Sequence, residues 1–137
     1  MAVNKQQTFG DIPYGQCVQI TSANGTSKLD LALADPAGTA GLRVDFVRIT
    51  TDLVANQDVE FFLYDSVALK TNPLGIQAIP ANAGKTNAIQ PFEAMTNILP
   101  DSLLLKPGDK LQVAATGAIT AGKTIYLTCL GMSLDSH

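Results

Sequence analysis

What most narrows the fold of this chain is a recurring pattern: short runs of alternating apolar and polar residues, cut off every dozen or so residues by a turn signal. No amphipathic stretch is long enough for a convincing helix. The clearest unit is LKPGDKLQVAATG, residues 105–117. Pro107 presets φ for the second position of a β-turn, Gly108 suits a position with φ > 0, and Asp109 can anchor the exit. A strand then follows, with Leu111, Val113 and Ala115 on one side and Lys110, Gln112 and Ala114 on the other. The same stretch lacks the glycine spacing and the Lys-Ser/Thr pair of a phosphate-binding loop.

The other runs repeat the theme. YGQCVQI offers Cys17, Val18 and Ile20 to a short strand, and Asn24-Gly25 supplies a turn. SKLDLALAD sets Leu29, Leu31 and Leu33 against Lys28, Asp30, Ala32 and Ala34; a short helix is its rival reading. LRVDFVRIT alternates through Leu42, Val44 and Phe46, then shifts phase to Val47 and Ile49, as a β-bulge would make it do. Arg43, Asp45 and Arg48 form a polar edge with no nucleophile or second acid beside them. In ILPDSLLLKPG, Leu103 and Leu105 lead into the turn, and residues 124–134 make a long closing strand in which Gly131 marks a bulge or a close approach by another backbone. The predicted core is Val44, Phe46, Val59, Phe61, Leu63, Leu111, Val113, Ile125 and Leu127. Seven to nine such strands predict an all-β chain: a single-domain β-sandwich of jelly-roll type.

Four segments suggest contact with something outside the domain. VEFFLYD places Val59, Phe61 and Leu63 on one face but Phe62 and Tyr64 on the other, so a covering loop, a subunit interface or a ligand platform is expected there. Ile125, Leu127 and Cys129 face one way in the closing strand, while Tyr126, Leu130 and Met132 face the other. Residues 71–97, with three prolines and two glycines, read as a long insertion with an outward contact surface, or else as a meandering strand pair that closes the sandwich. Residues 1–13 are polar and aperiodic, an N-terminal arm before a domain over 14–137; the arm is either unstructured or ordered against another subunit. The interface candidates are Phe9, Tyr14, Phe62, Tyr64, Ile79, Phe92, Tyr126 and Met132.

Composition bounds function by exclusion. Only 15% of residues are charged, below the roughly 25% of ordinary soluble domains, which leaves a surface rich in small polar side chains and suited to enclosure by neighbours. A net charge of −3 with no basic run argues against direct nucleic-acid binding. No segment approaches the roughly 20 apolar residues of a membrane helix, and the N-terminus has no apolar signal core, so a protein made and used without secretion is expected. Cys17 and Cys129 both sit in strand contexts and read as two buried free thiols, with a disulfide as the alternative. The one histidine, His137, is terminal, which leaves no base for a serine or cysteine nucleophile, and two cysteines with one histidine make a poor zinc site. No catalytic set, cofactor or metal is expected.

The arm, the low charge, the motif Leu105-x-Pro107-Gly108-Asp109-x-Leu111-x-Val113 and the closing Thr124-Ile125-Tyr126-Leu127-Thr128 together resemble the small β-domains that tailed bacteriophages use as capsid decoration or cement proteins. That resemblance implies a non-enzymatic virion component made in the host cytoplasm. It would sit on the outer capsid surface, bridge subunits of the major capsid protein, and associate with itself as a dimer or trimer. A tail or fibre adaptor, and a glycan- or host-protein-binding module, are the alternatives.

Overall fold

The computed structural model describes residues 12–85, 89–94 and 103–135. Nine strands run in chain order: β1 (Ile12–Ile20), β2 (Leu29–Leu33), β3 (Leu42–Thr51), β4 (Gln57–Asp65), β5 (Lys70–Ile79), β6 (Phe92–Glu93), β7 (Leu103–Leu105), β8 (Lys110–Ala115) and β9 (Ile125–Ser133). They form two antiparallel sheets packed as a β-sandwich. One has the order β1-β9-β3, with β6 and β7 both on the far side of β3, at opposite ends of it; the other has the order β2-β8-β4-β5.

The core lies between the sheets. From the first sheet come Val44, Val47, Ile49, Ile125, Leu127 and Cys129; from the second come Leu31, Val59, Phe61, Leu111 and Val113, all of them buried. The alternation read from the sequence is the cause, because a pleated strand sends every second side chain to the same face. Seven of the nine predicted core residues are buried, Leu63 packs against the core from a half-buried position, and Phe46 departs. The register of β3 on β9 shifts between Val44 and Phe46, so the extra residue is Asp45. The bulge thus falls one residue earlier than the hydrophobic pattern suggested, and it turns Phe46 to the outer face and Val47 into the core. Gly131 pairs with Val44 beside this bulge. A Cβ there would meet the carbonyl oxygen of Arg43, so the close approach by another backbone expected for Gly131 is present.

A second bulge corrects the reading of β2. Its register on β8 shifts between Asp30 and Ala32, which buries both Leu31 and Ala32 and turns Leu33 outward. The segment 71–97 is also not a single insertion. Residues 70–79 are β5, paired with β4 along their whole length, and the rival reading of a strand that helps close the sandwich describes them better. Alternation failed to announce β5 because it is an edge strand, with most of its side chains exposed on either face. At the other end of the reading, Ile12 and Pro13, assigned to the arm, belong to β1 and pair with Ser133 and Met132.

The cysteines differ from each other. Cys129 is buried, and burial pushes its thiol up to about 12. Cys17 is exposed, because its register partner Thr128 points to the outer face of the first sheet. Both are free, and the two residues lie on opposite faces of that sheet.

The Pro107-Gly108-Asp109 turn has a definite job. Gly108 N–H donates to the Ala34 carbonyl at 2.9 Å, and Ala34 N–H donates back to the Asp109 carbonyl at 3.0 Å. The buried Asp109 carboxylate accepts the Ser66 N–H at 3.0 Å and the Ser66 hydroxyl at 3.1 Å. Gly108 has φ 88°, and a Cβ there would press on the Ser66 side chain at 2.8 to 3.0 Å. Pro107-Gly108-Asp109 therefore ties the exit of β2 and the β4–β5 turn to one point.

Candidate functional site

The eight interface candidates do not gather into one surface. Phe9 lies outside the described residues, as do 86–88 and 95–97 of the segment first read as an insertion. Ile79 is fully buried, and Phe92 pairs with core-facing Ile49 and packs against the core, so neither offers an outward contact. Their inward placement follows from the strand register, which puts both on the inner face. Phe62 and Tyr64 lie on the outer face of the second sheet; Tyr126 and Met132 lie on the outer face of the first, on the opposite side of the sandwich.

Each outward ring is half-buried under a cation, and over Phe62 that cation comes from the β1–β2 loop, in keeping with the covering loop expected there. Lys28 Nζ sits 4.6 Å from the centroid of Phe62, Lys110 Nζ 5.4 Å from Tyr64, Lys85 Nζ 4.6 Å from Tyr126, and the Arg48 guanidinium 4.7 Å from Phe46. Four such pairs stand among the described residues. A chain with only nine Lys and Arg has placed four of them over the aromatic rings of its outer sheet faces. The charged heads themselves sit over the ring faces, where the ring quadrupole attracts a cation. Asp30 completes the cover on the second sheet, accepting from Gln112 Nε2 at 2.8 Å and pairing with Lys110 at 3.4 Å.

What stays bare is aliphatic. On the first sheet, register sets Leu104, Arg43, Met132 and Pro13 side by side across four strands, with Phe46, Leu130 and Gly15 in the next row. Leu104 is 66% exposed and Leu130 48%. Arg43 holds Asp45 by two bonds of 2.8 and 3.2 Å, so the band carries one neutralised charge pair in its middle. At its margin the Val47 N–H, on the β3 edge between β6 and β7, donates to the Glu93 carboxylate at 3.3 Å.

A second bare group stands at the end of the sandwich that holds the Pro107-Gly108-Asp109 turn. The β4–β5 turn displays Val67, 81% exposed, and Leu69, 73% exposed. Asp65 folds it by accepting the N–H groups of Val67 at 2.9 Å and Ala68 at 3.2 Å, and these bonds, Ala68 first, hold its carboxyl below the usual carboxylate range. Leu69 has φ 57°, a left-handed conformation that costs a leucine roughly 1–2 kcal/mol and that glycine or asparagine adopts more readily. At the same end, beside the β2 edge, opens a cleft of about 330 Å³ lined by Tyr14, Leu33, Asp35, Pro36, Gly41, Leu42 and Ser133. The Leu33 N–H donates to the Tyr14 hydroxyl at 3.1 Å, and burial raises the Tyr14 pKa, so the ring stays a neutral wall of the cleft. Behind Gly41, Asp135 accepts the N–H groups of Thr39 and Ala40 at 2.6 and 2.7 Å; these bonds hold its carboxyl below the usual range and fix the loop.

No protein-family model and no curated protein matches the chain. Among the described residues no three His, Cys, Asp or Glu side chains lie close enough to hold a metal ion, and no helix is long and apolar enough to cross a membrane. The residues missed by sequence reasoning are Leu33, Val67, Leu69 and Leu104. A signal existed for two of them: SVALK carries apolar residues through a turn between strands, where polar ones are the rule.

Proposed function

We propose that this protein is a non-enzymatic structural component that works by assembly, as a decoration or cement protein on the outside of a bacteriophage capsid, where it would bridge major capsid protein subunits. We further propose that its sandwich is a jelly roll. The support for the latter is the chain path: β1, β3, β6, β7 and β9 fall in one sheet and β2, β4, β5 and β8 in the other, in the orders β1-β9-β3-β6 and β2-β8-β4-β5. That is the interleaving expected when an antiparallel ribbon wraps around a barrel.

The observation that carries the functional reading is the bare aliphatic band on the first sheet. Every outward ring on the two sheets has its own cation, yet Leu104 and Leu130 flank Arg43 and Phe46 with no such cover. An aliphatic patch around a neutralised Arg-Asp pair suits a protein surface as partner, since interfaces enrich arginine and apolar side chains at their centres. The partner is then the major capsid protein, with the polar segment 1–11 proposed to contribute to binding.

The test is co-sedimentation with undecorated heads of the phage that carries the coding sequence. The full chain should bind saturably, and Leu104→Asp with Leu130→Asp should abolish binding while leaving the fold intact. A full chain that stays in the supernatant, or a double variant that binds as well as the parent, defeats the reading. Deleting residues 1–11 should weaken binding; if it does not, only the proposed part of that segment is lost.

A further inference from the structure

We infer that copies of this protein join to one another by a knob-into-socket contact, in which Val67 and Leu69 of one copy enter the apolar cleft lined by Tyr14, Leu33, Pro36 and Leu42 of the next. The inference rests on that part of the functional reading in which copies associate, but it places the contact on the end of the sandwich and not on the sheet face offered to the capsid.

Both halves of the contact are built, and neither has a partner of its own within the described chain. Val67 and Leu69 are among the most exposed aliphatic side chains in the described chain. They are also fixed in place. Asp65 closes the turn beneath them, Ser66 is gripped by the buried Asp109, and Gly108 lets the two loops touch. Lys106 adds a bridge to Asp65 at 3.4 Å. A loop with no task in recognition has no reason to hold a leucine in a left-handed conformation and display it to water. A rigid apolar knob loses little freedom on docking, which is what makes it an efficient contact.

The cleft matches the knob in size, chemistry and charge. An apolar cavity of about 150 Å³ admits a benzene ring, so one of about 330 Å³ has room for a valine and a leucine together. Its walls are almost wholly apolar, and the Tyr14 hydroxyl is already engaged by Leu33. The charge on its wall is Asp35, exposed; the charge that follows Leu69 directly is Lys70, also exposed. Seating the knob brings these opposite charges to the rim of the contact.

Geometry makes the contact intermolecular. Knob and cleft occupy the same end of the sandwich, but the knob joins β4 to β5 at one edge of the second sheet while the cleft adjoins β2 at the other. Roughly three strand spacings of about 4.8 Å separate the edges. Each copy therefore offers one knob and one socket, and the contact is made either reciprocally in a dimer or head to tail around a closed ring.

The experiment uses the full chain alone, without any capsid, so self-association and capsid binding can fail separately. In a Cys17→Ser background, a Leu69→Cys chain is mixed with a Leu33→Cys chain under mild oxidation, beside each chain alone and sedimentation velocity of the parent. A discrete oligomer is expected, with disulfide-linked pairs of one chain of each kind. Leu69→Asn should weaken association roughly tenfold, the scale for losing one buried aliphatic side chain. It should leave thermal stability equal or higher, because asparagine suits the left-handed turn; a merely structural Leu69 would instead lose stability. A parent that is monomeric at every concentration, association untouched by Leu69→Asn, or the absence of mixed-chain crosslinks overturns the contact. So does a monomer whose Leu69→Asn variant loses its grip on capsids, which would assign the knob to the shell.

Discussion

Adjacent residues Phe61 and Phe62 offer a sharp test of the sandwich, because one ring is sealed in the core and the other lies outside under Lys28. Truncating Phe61 to alanine removes a fully buried ring and leaves a cavity between the sheets, at a cost of about 3–5 kcal/mol. For a chain of this size that corresponds to a fall in Tm of roughly 10–20 °C. Phe62→Ala loses about half of a full burial term, about 1 kcal/mol, together with a cation–ring contact of about 0.5–1 kcal/mol. Equilibrium urea denaturation of parent, both single variants, Lys28→Ala and the Lys28→Ala/Phe62→Ala pair measures all of these terms. The expected pattern is a large loss for Phe61→Ala, a loss about half as large or smaller for Phe62→Ala, and a coupling between Lys28 and Phe62 of about 0.5–1 kcal/mol. Equal losses at the two positions, or no coupling to Lys28, would refute the sidedness of β4 and the cation cover of Phe62.

Two further outcomes follow from the polar groups of the fold. Cys17 should react with a thiol reagent in the native protein at once and Cys129 only on unfolding; because Cys129 keeps its proton up to about 12 when folded while an unfolded thiol releases it near 9, stability should be intact below pH 9 and decline above it, by up to about 1.4 kcal/mol per pH unit. Fast labelling of both thiols, or flat stability from pH 8 to 11, would contradict this. Asp109→Ala should cost about 2–3 kcal/mol by stranding the Ser66 N–H, and Asp109→Asn less because one acceptor oxygen remains, so a denaturation series in which the two are equal would remove the anchoring role.

The strands that alternate cleanly were legible from the sequence because their pattern is a direct image of burial. β4, β8 and β9 each have one face in the core, and Val59, Phe61, Leu111, Val113, Ile125 and Leu127 are buried as their spacing requires. Bulges broke the code. At Asp45 the phase change was visible but its position was not, since Phe46 is apolar and suits either face until Arg48 settles over it. In β2 the leucine-alanine alternation concealed a slip that exchanged Leu33 for Ala32 in the core. β5 was unreadable because an edge strand has little burial to record. The candidate site was less legible still. Aromatic residues on both faces of β4 pointed to a missing cover, and the cover turned out to be lysines contributed from outside the strand, a pairing that appears only once register is known.

The strand order has a consequence for how such a chain comes to be folded. β9 lies between β1 and β3, pairing with both along nearly its whole length, yet it follows the other eight strands in sequence. As the polypeptide leaves the ribosome, β1 has no neighbour in its sheet and β3 shows an open flank until Ile125–Ser133 emerges. The closing step joins segments more than a hundred residues apart, so it is slow by nature and depends on synthesis having passed that point. A nascent chain stalled before Ile125 therefore carries two unjoined halves of one sheet, and the low charge of the sequence gives those halves little repulsion to keep them from pairing with the next chain along.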